Sequence, residues 1–221
     1  MSLPRTLTSL DDAALRQLIE TRLRGTTPDP GTRGERLAGV APELTAQFRH
    51  LLPVEPTPAA VLVPLVERPA GLTVLLTQRA SHLRHHGGQV SFPGGRVEPD
   101  DPGPLEAALR EAEEEIGLPR GHVRPVGYLQ DHLVISGYRV TPVVAFVTPG
   151  FDLQLDRREV EATFEMPLRH ALDEANHQAR ERKLGNLTLT VYDIPYGAHK
   201  VWGATAGMLM TFYRLLSGLE D

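Results

Sequence analysis

The stretch Ser91 to Leu118, "SFPGGRVEPDDPGPLEAALREAEEEIGL", decides how this chain is read. Pro104 stands where a helix favours proline in its first turn, and Gly117 stands just past the point where the helical pattern ends. Between them Leu105, Leu109, Ala112 and Ile116 recur at helical spacing, so a helix is expected over 105–116, packed by one stripe against a sheet. At about 100° per residue, Glu111, Glu114 and Glu115 share an arc of about 100° roughly opposite that stripe, whereas Glu113 falls outside it. Like charges at these spacings repel by a few tenths of a kcal/mol, and acids near a helix C-terminus also oppose its dipole. Something must compensate. A solvated face eased by Arg110 is one reading, and a divalent-cation site is the other, because hard cations prefer oxygen ligands and carboxylates at i, i+3 and i+4 converge.

The flanking chain supplies strands for such a helix to cover. Residues 59–66 and 72–78 are apolar, β-branched runs separated by "ERPAG", and further strands are expected over 124–129, 140–147, 161–166 and 187–194. Apolar spacing predicts an N-terminal helix over 10–23, started near Ser9, Asp11 and Asp12. A loop or linker over 25–36 follows, with a short helix over 42–52 and, near the end, a helix over 205–219 with Met208, Leu209, Phe212, Leu215 and Leu216 on one side. The sum is a mixed α/β domain.

Bulk properties narrow the function. The chain has 221 residues, of which 41% are hydrophobic, enough for one sizeable core. Its 23 basic and 28 acidic residues give a net charge of −5, which argues against a nucleic-acid surface. No cysteine is present, so any metal site must use oxygen or imidazole ligands. The longest apolar run, 59–65, is far short of a membrane span, and the N-terminus lacks the apolar core of a signal peptide. A cytoplasmic protein with no membrane partner is expected.

The run Arg110-Glu111-Ala112-Glu113-Glu114-Glu115-Ile116-Gly117-Leu118, downstream of Gly95, resembles the signature of the Nudix hydrolases and matches it at every fixed position. One departure concerns the loop before the helix, which is one residue longer than usual. Pro102 stands where the family has a glutamate, with Asp100 and Asp101 as candidate replacements. Upstream, Leu75-Leu76-Thr77-Gln78-Arg79-Ala80, Arg84, Gly88 and Phe92-Pro93-Gly94-Gly95 resemble the additional motif of the coenzyme A pyrophosphatase branch, in which the longer loop is common. Residues 201–216, "VWGATAGMLMTFYRLL", are similar to that branch's C-terminal segment.

Taken singly, these pieces are ordinary. A Phe-Pro-Gly-Gly run is most often a turn, lone arginines are most often surface charges, and His85 and His86 lack the i, i+4 spacing of a ligand pair. Their joint spacing is what carries the resemblance. It implies an α/β/α sandwich with a mixed sheet, an N-terminal helical extension over 1–55 and the hydrolase domain over 56–221, ending in a C-terminal helix. It implies Mg²⁺ or Mn²⁺ held by Glu111 and Glu115, with Glu114 as a further ligand or the base, and Arg110 bracing the glutamates. Glu159 or Glu161 is a second candidate base. Arg79, Arg84, Gly88, Phe92, Gly94 and Gly95 are the expected substrate-binding positions, and coenzyme A is the expected substrate. The alternatives are another nucleoside diphosphate derivative, a non-catalytic nucleotide sensor, and a structural module with a solvated acidic helix.

Overall fold

The computed structural model describes residues 7–29, 35–37, 55–83, 86–184 and 187–219. The helix expected over 42–52 lies outside the described residues. Among those described, the strands in chain order are β1 (Glu35–Leu37), β2 (Thr57–Arg68), β3 (Gly71–Arg79), β4 (Val90–Ser91), β5 (Gly94–Arg96), β6 (Val123–Tyr128), β7 (Asp131–Val134), β8 (Tyr138–Val147), β9 (Val160–Pro167), β10 (Gln178–Leu184), β11 (Leu187–Tyr196) and β12 (His199–Trp202). The α-helices are α1 (Asp12–Leu23), α2 (Pro104–Ile116), α3 (Leu168–Ala171) and α4 (Gly203–Ser217). No described helix is long and apolar enough to cross a membrane.

The main sheet is mixed. Strands β2 and β8 run parallel from Thr57↔Tyr138 to Val66↔Val147, and β1 joins β7 in parallel, whereas the other pairings are antiparallel. Side chains of β8 alternate cleanly: Val140, Val144 and Phe146 enter one core, and Val143, Ala145 and Val147 enter the other. The first core is covered by α1 and α4, and the second by α2. Both faces of the sheet are therefore buried, as a strand bearing six apolar residues on alternating sides requires. Strands β10, β11 and β12 form a separate antiparallel sheet.

At the N-terminus, Asp11 caps α1 by accepting the Ala14 N–H at 2.7 Å. Leu15, Ile19 and Leu23 are buried in the same core as the sheet, each contributing about 1.5–3 kcal/mol by removal from water. Just beyond the helix, Thr26 Oγ1 donates to the Leu23 carbonyl at 2.8 Å and accepts the Tyr128 N–H at 2.8 Å. That hydroxyl fits against β6 where the register shifts between Pro125 and Gly127.

One feature of the sheet prepares the site. β2 and β3 pair only over Leu65–Arg68 and Gly71–Val74 and then part. On the diverging arms, β5 pairs with Ala59, Ala60 and Val61 of β2, while β4 pairs with Thr77 and Gln78 of β3. Gly94 and Gly95, which open β5 on the β2 arm, thus lie against α2.

Candidate active site

Helix α2 approaches the sheet by a different face from the one expected. The residues it buries are Ala107, Ala108, Ala112, Glu115 and Ile116, while Leu105 and Leu109 are only partly buried. The contact face is rotated by about 60° from the leucine stripe. The physical reason is size: alanines let the helix axis come close to the strands, and the leucines pack at the margin. As a consequence Glu115, expected to point away from the sheet, has a side chain only 5% exposed, and that of Glu111 is 17% exposed; Glu114 faces solvent at 60%.

The close approach depends on the two glycines. A Cβ on Gly95 would collide with the Glu111 carboxylate, and one on Gly94 would collide with the Ala60 carbonyl and Val61 of β2. With no side chains there, the Gly94 N–H donates to Glu115 Oε2 at 3.1 Å. Arg79 Nη1, from the end of β3, stands 3.8 Å from Glu115 Oε1.

Arg110 distributes its guanidinium among four partners. Nη1 donates to Glu111 Oε1 at 2.9 Å and to Glu114 Oε2 at 3.1 Å. Nε and Nη2 donate to the two carboxylate oxygens of Asp101 at 3.1 and 3.0 Å, and Nη2 also reaches the Arg96 carbonyl at 3.1 Å. Arg110 thereby eases the repulsion between Glu111 and Glu114. Of the two acids just before Pro102, Asp101 is the one that engages Arg110.

Glu115 receives no comparable relief. Burial is the main cause that pushes its carboxyl up to about 8; the charges of Glu111 and Glu159 add to the shift, and the Gly94 N–H and Arg79 oppose it. Glu111 is raised too, chiefly by burial, with Arg110 opposing and Glu114 and Glu159 adding. A buried and a partly buried acid on one helix face, with too little positive charge between them, fit a hard divalent cation: oxygen donors on a rigid helix, against a backbone without side chains. Among the described residues no three Asp, Glu or His side chains are gathered closely enough to hold a metal by themselves. Glu111 and Glu115 are the residues that would hold such a cation, which would supply positive charge between them.

The two later candidates separate clearly. Glu159 contributes negative charge to both Glu111 and Glu115. Glu161 instead accepts the Ser81 N–H through Oε2 at 3.2 Å, and its carbonyl accepts from Arg157 Nη1 at 2.5 Å. The loop bearing Glu159 is tied to the helix end by Asp156 N–H donating to the Glu115 carbonyl at 2.9 Å. Sequence spacing could not make this choice, because it depends on the register shift between Gln78 and Arg79 where β9 pairs with β3.

The expected substrate positions are divided. Arg79, Gly94 and Gly95 line the carboxylate pair. Gly88 is exposed on the loop above β4 and has φ +73°, and His86, with φ 59°, hydrogen-bonds Gln89 at 3.0 Å. Phe92 is buried in the core shared with α1 and α4. Arg84 and His85 lie outside the described residues.

Comparison with known proteins gives one family. The NUDIX domain model matches residues 56–186. The chain is 44% identical over 152 residues to the uncharacterized Nudix hydrolase NudL of Escherichia coli strain K12, covering 68% of this chain and 78% of that protein. It is 43% identical over 158 residues to the protein of the same name from Shigella flexneri, covering 71% and 81%. Among solved structures it is similar to a MutT protein from Methanosarcina mazei Go1, at 20% identity and a TM-score of 0.48, covering 76% of this chain and all of that one.

Proposed function

Because this chain belongs to the Nudix hydrolases and so acts on a pyrophosphate bond, we propose that its substrate is coenzyme A, cleaved to 3′,5′-ADP and 4′-phosphopantetheine with Mg²⁺ or Mn²⁺. The observation that carries the hydrolytic half is the carboxylate pair of Glu111, partly buried, and Glu115, buried, laid against Gly94 and Gly95. The coenzyme A half rests on the residues of β3 to β5 that resemble the coenzyme A pyrophosphatase motif, one of which, Arg79, faces Glu115.

Water attacks a pyrophosphate slowly because the phosphoryl oxygens are already negative, so charge must be neutralised and a proton removed. When bound by Glu111 and Glu115, the divalent cation supplies that neutralisation and acidifies water. The protein's own residues do the rest. Gly94 and Gly95 leave the backbone open to the diphosphate. Arg79 offers a cation at the edge of the carboxylate pair for a phosphoryl oxygen. Glu159 is the base that takes the proton from the attacking water, since it shares the field of Glu111 and Glu115 and makes none of the bonds that hold Glu161 to the loop. Glu114, 60% exposed and tied to Arg110, stands at the rim of the carboxylate pair.

Steady-state kinetics with coenzyme A, ADP-ribose and a dinucleoside polyphosphate in parallel test the substrate. The highest kcat/KM is expected for coenzyme A, and a clear preference for either competitor would overturn that assignment while leaving the hydrolase in place.

A further inference from the structure

Strand β9 pairs with β3 in regular register as far as Gln78↔Ala162, after which Arg79 meets Val160. Glu161 is thus the extra residue of a β-bulge, a device that re-aims a side chain away from the ladder. Its carboxylate is aimed at the chain just beyond β3, where Oε2 accepts the Ser81 N–H at 3.2 Å. Arg157 Nη1 donates to the Glu161 carbonyl and holds the bulge from behind. One residue before Ser81, the Ala80 N–H donates to the Glu159 carbonyl at 2.8 Å. β9 and its bulge therefore grip two successive amides of the segment that leaves β3.

That segment opens the loop of residues 80–89. At one foot stands Arg79, whose guanidinium faces Glu115; the other foot leads through β4 to Gly94, whose N–H bonds the same carboxylate. The feet are joined by the Arg79 N–H donating to the Gln89 carbonyl at 2.9 Å and the Gly88 N–H donating to the Arg79 carbonyl at 3.0 Å. Gly87 lets the returning chain close on the outgoing one: a Cβ there would lie 2.8 Å from the Ser81 carbonyl oxygen, 2.9 Å from that of Leu83 and 3.3 Å from that of Ala80. A shift of Ser81 is thus passed to Gly87, and through Gly88 back to Arg79. We infer that Glu161 is a positioning residue that sets affinity for the substrate: from the bulge it holds this loop in one shape beforehand, so that binding need not order it. The chemical step does not pass through it.

The inference rests on the reading that Arg79 and this loop meet the diphosphate substrate. It is tested with Glu161→Ala, which removes the acceptor, and Glu161→Gln, which keeps an oxygen for the Ser81 N–H. For both, kcat and KM for coenzyme A are measured with Mg²⁺, and Mn²⁺ affinity by EPR. Glu161→Ala is expected to raise KM about tenfold, the order of one lost hydrogen bond to a carboxylate, with kcat and Mn²⁺ affinity unchanged. Glu161→Gln should restore the wild-type KM. A wild-type KM in Glu161→Ala overturns the inference, and so does a loss of kcat in both variants, which would put Glu161 in the chemistry. Should Glu161→Ala not fold, Glu161→Asp, one methylene too short to reach Ser81, carries the same test: a raised KM supports the role and a wild-type KM overturns it. If the wild type leaves coenzyme A intact, the coenzyme A assignment falls on its own, and the same comparison of KM values is made with ADP-ribose or a dinucleoside polyphosphate, whichever is cleaved.

Discussion

The Gly94 N–H donates to Glu115 Oε2 at 3.1 Å, joining the strand that enters the loop to the last turn of the acidic helix. This single bond sets the distance between backbone and carboxylate pair, and it exists only because neither Gly94 nor Gly95 carries a side chain. Around it, burial and charge have been arranged at the expense of the metal-free protein's stability.

Gly95→Ala places a methyl group against the Glu111 carboxylate. The carboxylate must move, and displacements of about 1 Å at a reacting centre cost on the order of 10²-fold in rate. A fall in kcat of about that size is expected, with far-UV circular dichroism unchanged. A variant with wild-type kcat would show that Glu111 need not occupy this position.

Glu115 governs how the metal-free protein responds to pH. Its folded carboxyl is raised from 4.5 to about 8, so the folded state holds the proton more tightly than the unfolded chain does. The stability it contributes is therefore fully present below about pH 4.5 and is lost as pH rises through about 8. With EDTA present, Glu115→Gln is expected to be more stable than the wild type at pH 9 by roughly 1–3 kcal/mol in urea unfolding, and the gap should narrow toward pH 5. Excess Mn²⁺ should stabilise the wild type more than the variant. Parallel pH profiles for the two proteins would contradict the buried, charge-stressed carboxyl.

Glu159 and Glu161 are distinguished by their surroundings. Glu159→Gln is expected to lower kcat by about 10²-fold, in the range of a lost general base. Glu161→Gln should stay near wild type, because its carboxylate serves the Ser81 N–H. The reverse ranking in a kcat comparison would exchange their roles.

Gly127→Ala tests how firmly the N-terminal helix is seated. A Cβ there would press on Thr26 Oγ1 at 2.5 Å and the Leu23 carbonyl at 2.6 Å. Overpacking of this kind costs roughly 1–3 kcal/mol, so a lower urea midpoint is expected with kcat per folded molecule unchanged. A lost kcat at full folding would couple the extension to the site.

Much of the fold is legible in the sequence because the central strands are long and apolar. The run over 140–147 alternates between two cores, and nothing but a doubly covered strand buries such a sequence. The strands that escape notice are β1, which begins at the end of the loop expected over 25–36, β4, β5, β7, β10 and β12; they are short or charged and owe their conformation to pairing with neighbours. The acidic helix is legible in extent but not in phase. A hydrophobic wheel weights Leu105 and Leu109 above Ala108 and Ala112, whereas close packing prefers the smaller side chains, and that difference turns Glu115 inward. Likewise the sequence leaves Asp100 and Asp101 equivalent beside Pro102, and only the closed turn from Glu98 to Asp101 separates them.

Cleavage of coenzyme A is tested by incubating the purified protein with it and Mg²⁺ or Mn²⁺ in ¹⁸O-labelled water and identifying the products by mass spectrometry. The expected products are 3′,5′-ADP and 4′-phosphopantetheine, with the label in only one of them. Intact coenzyme A, alongside cleavage of another nucleoside diphosphate derivative under the same conditions, would contradict the proposed substrate.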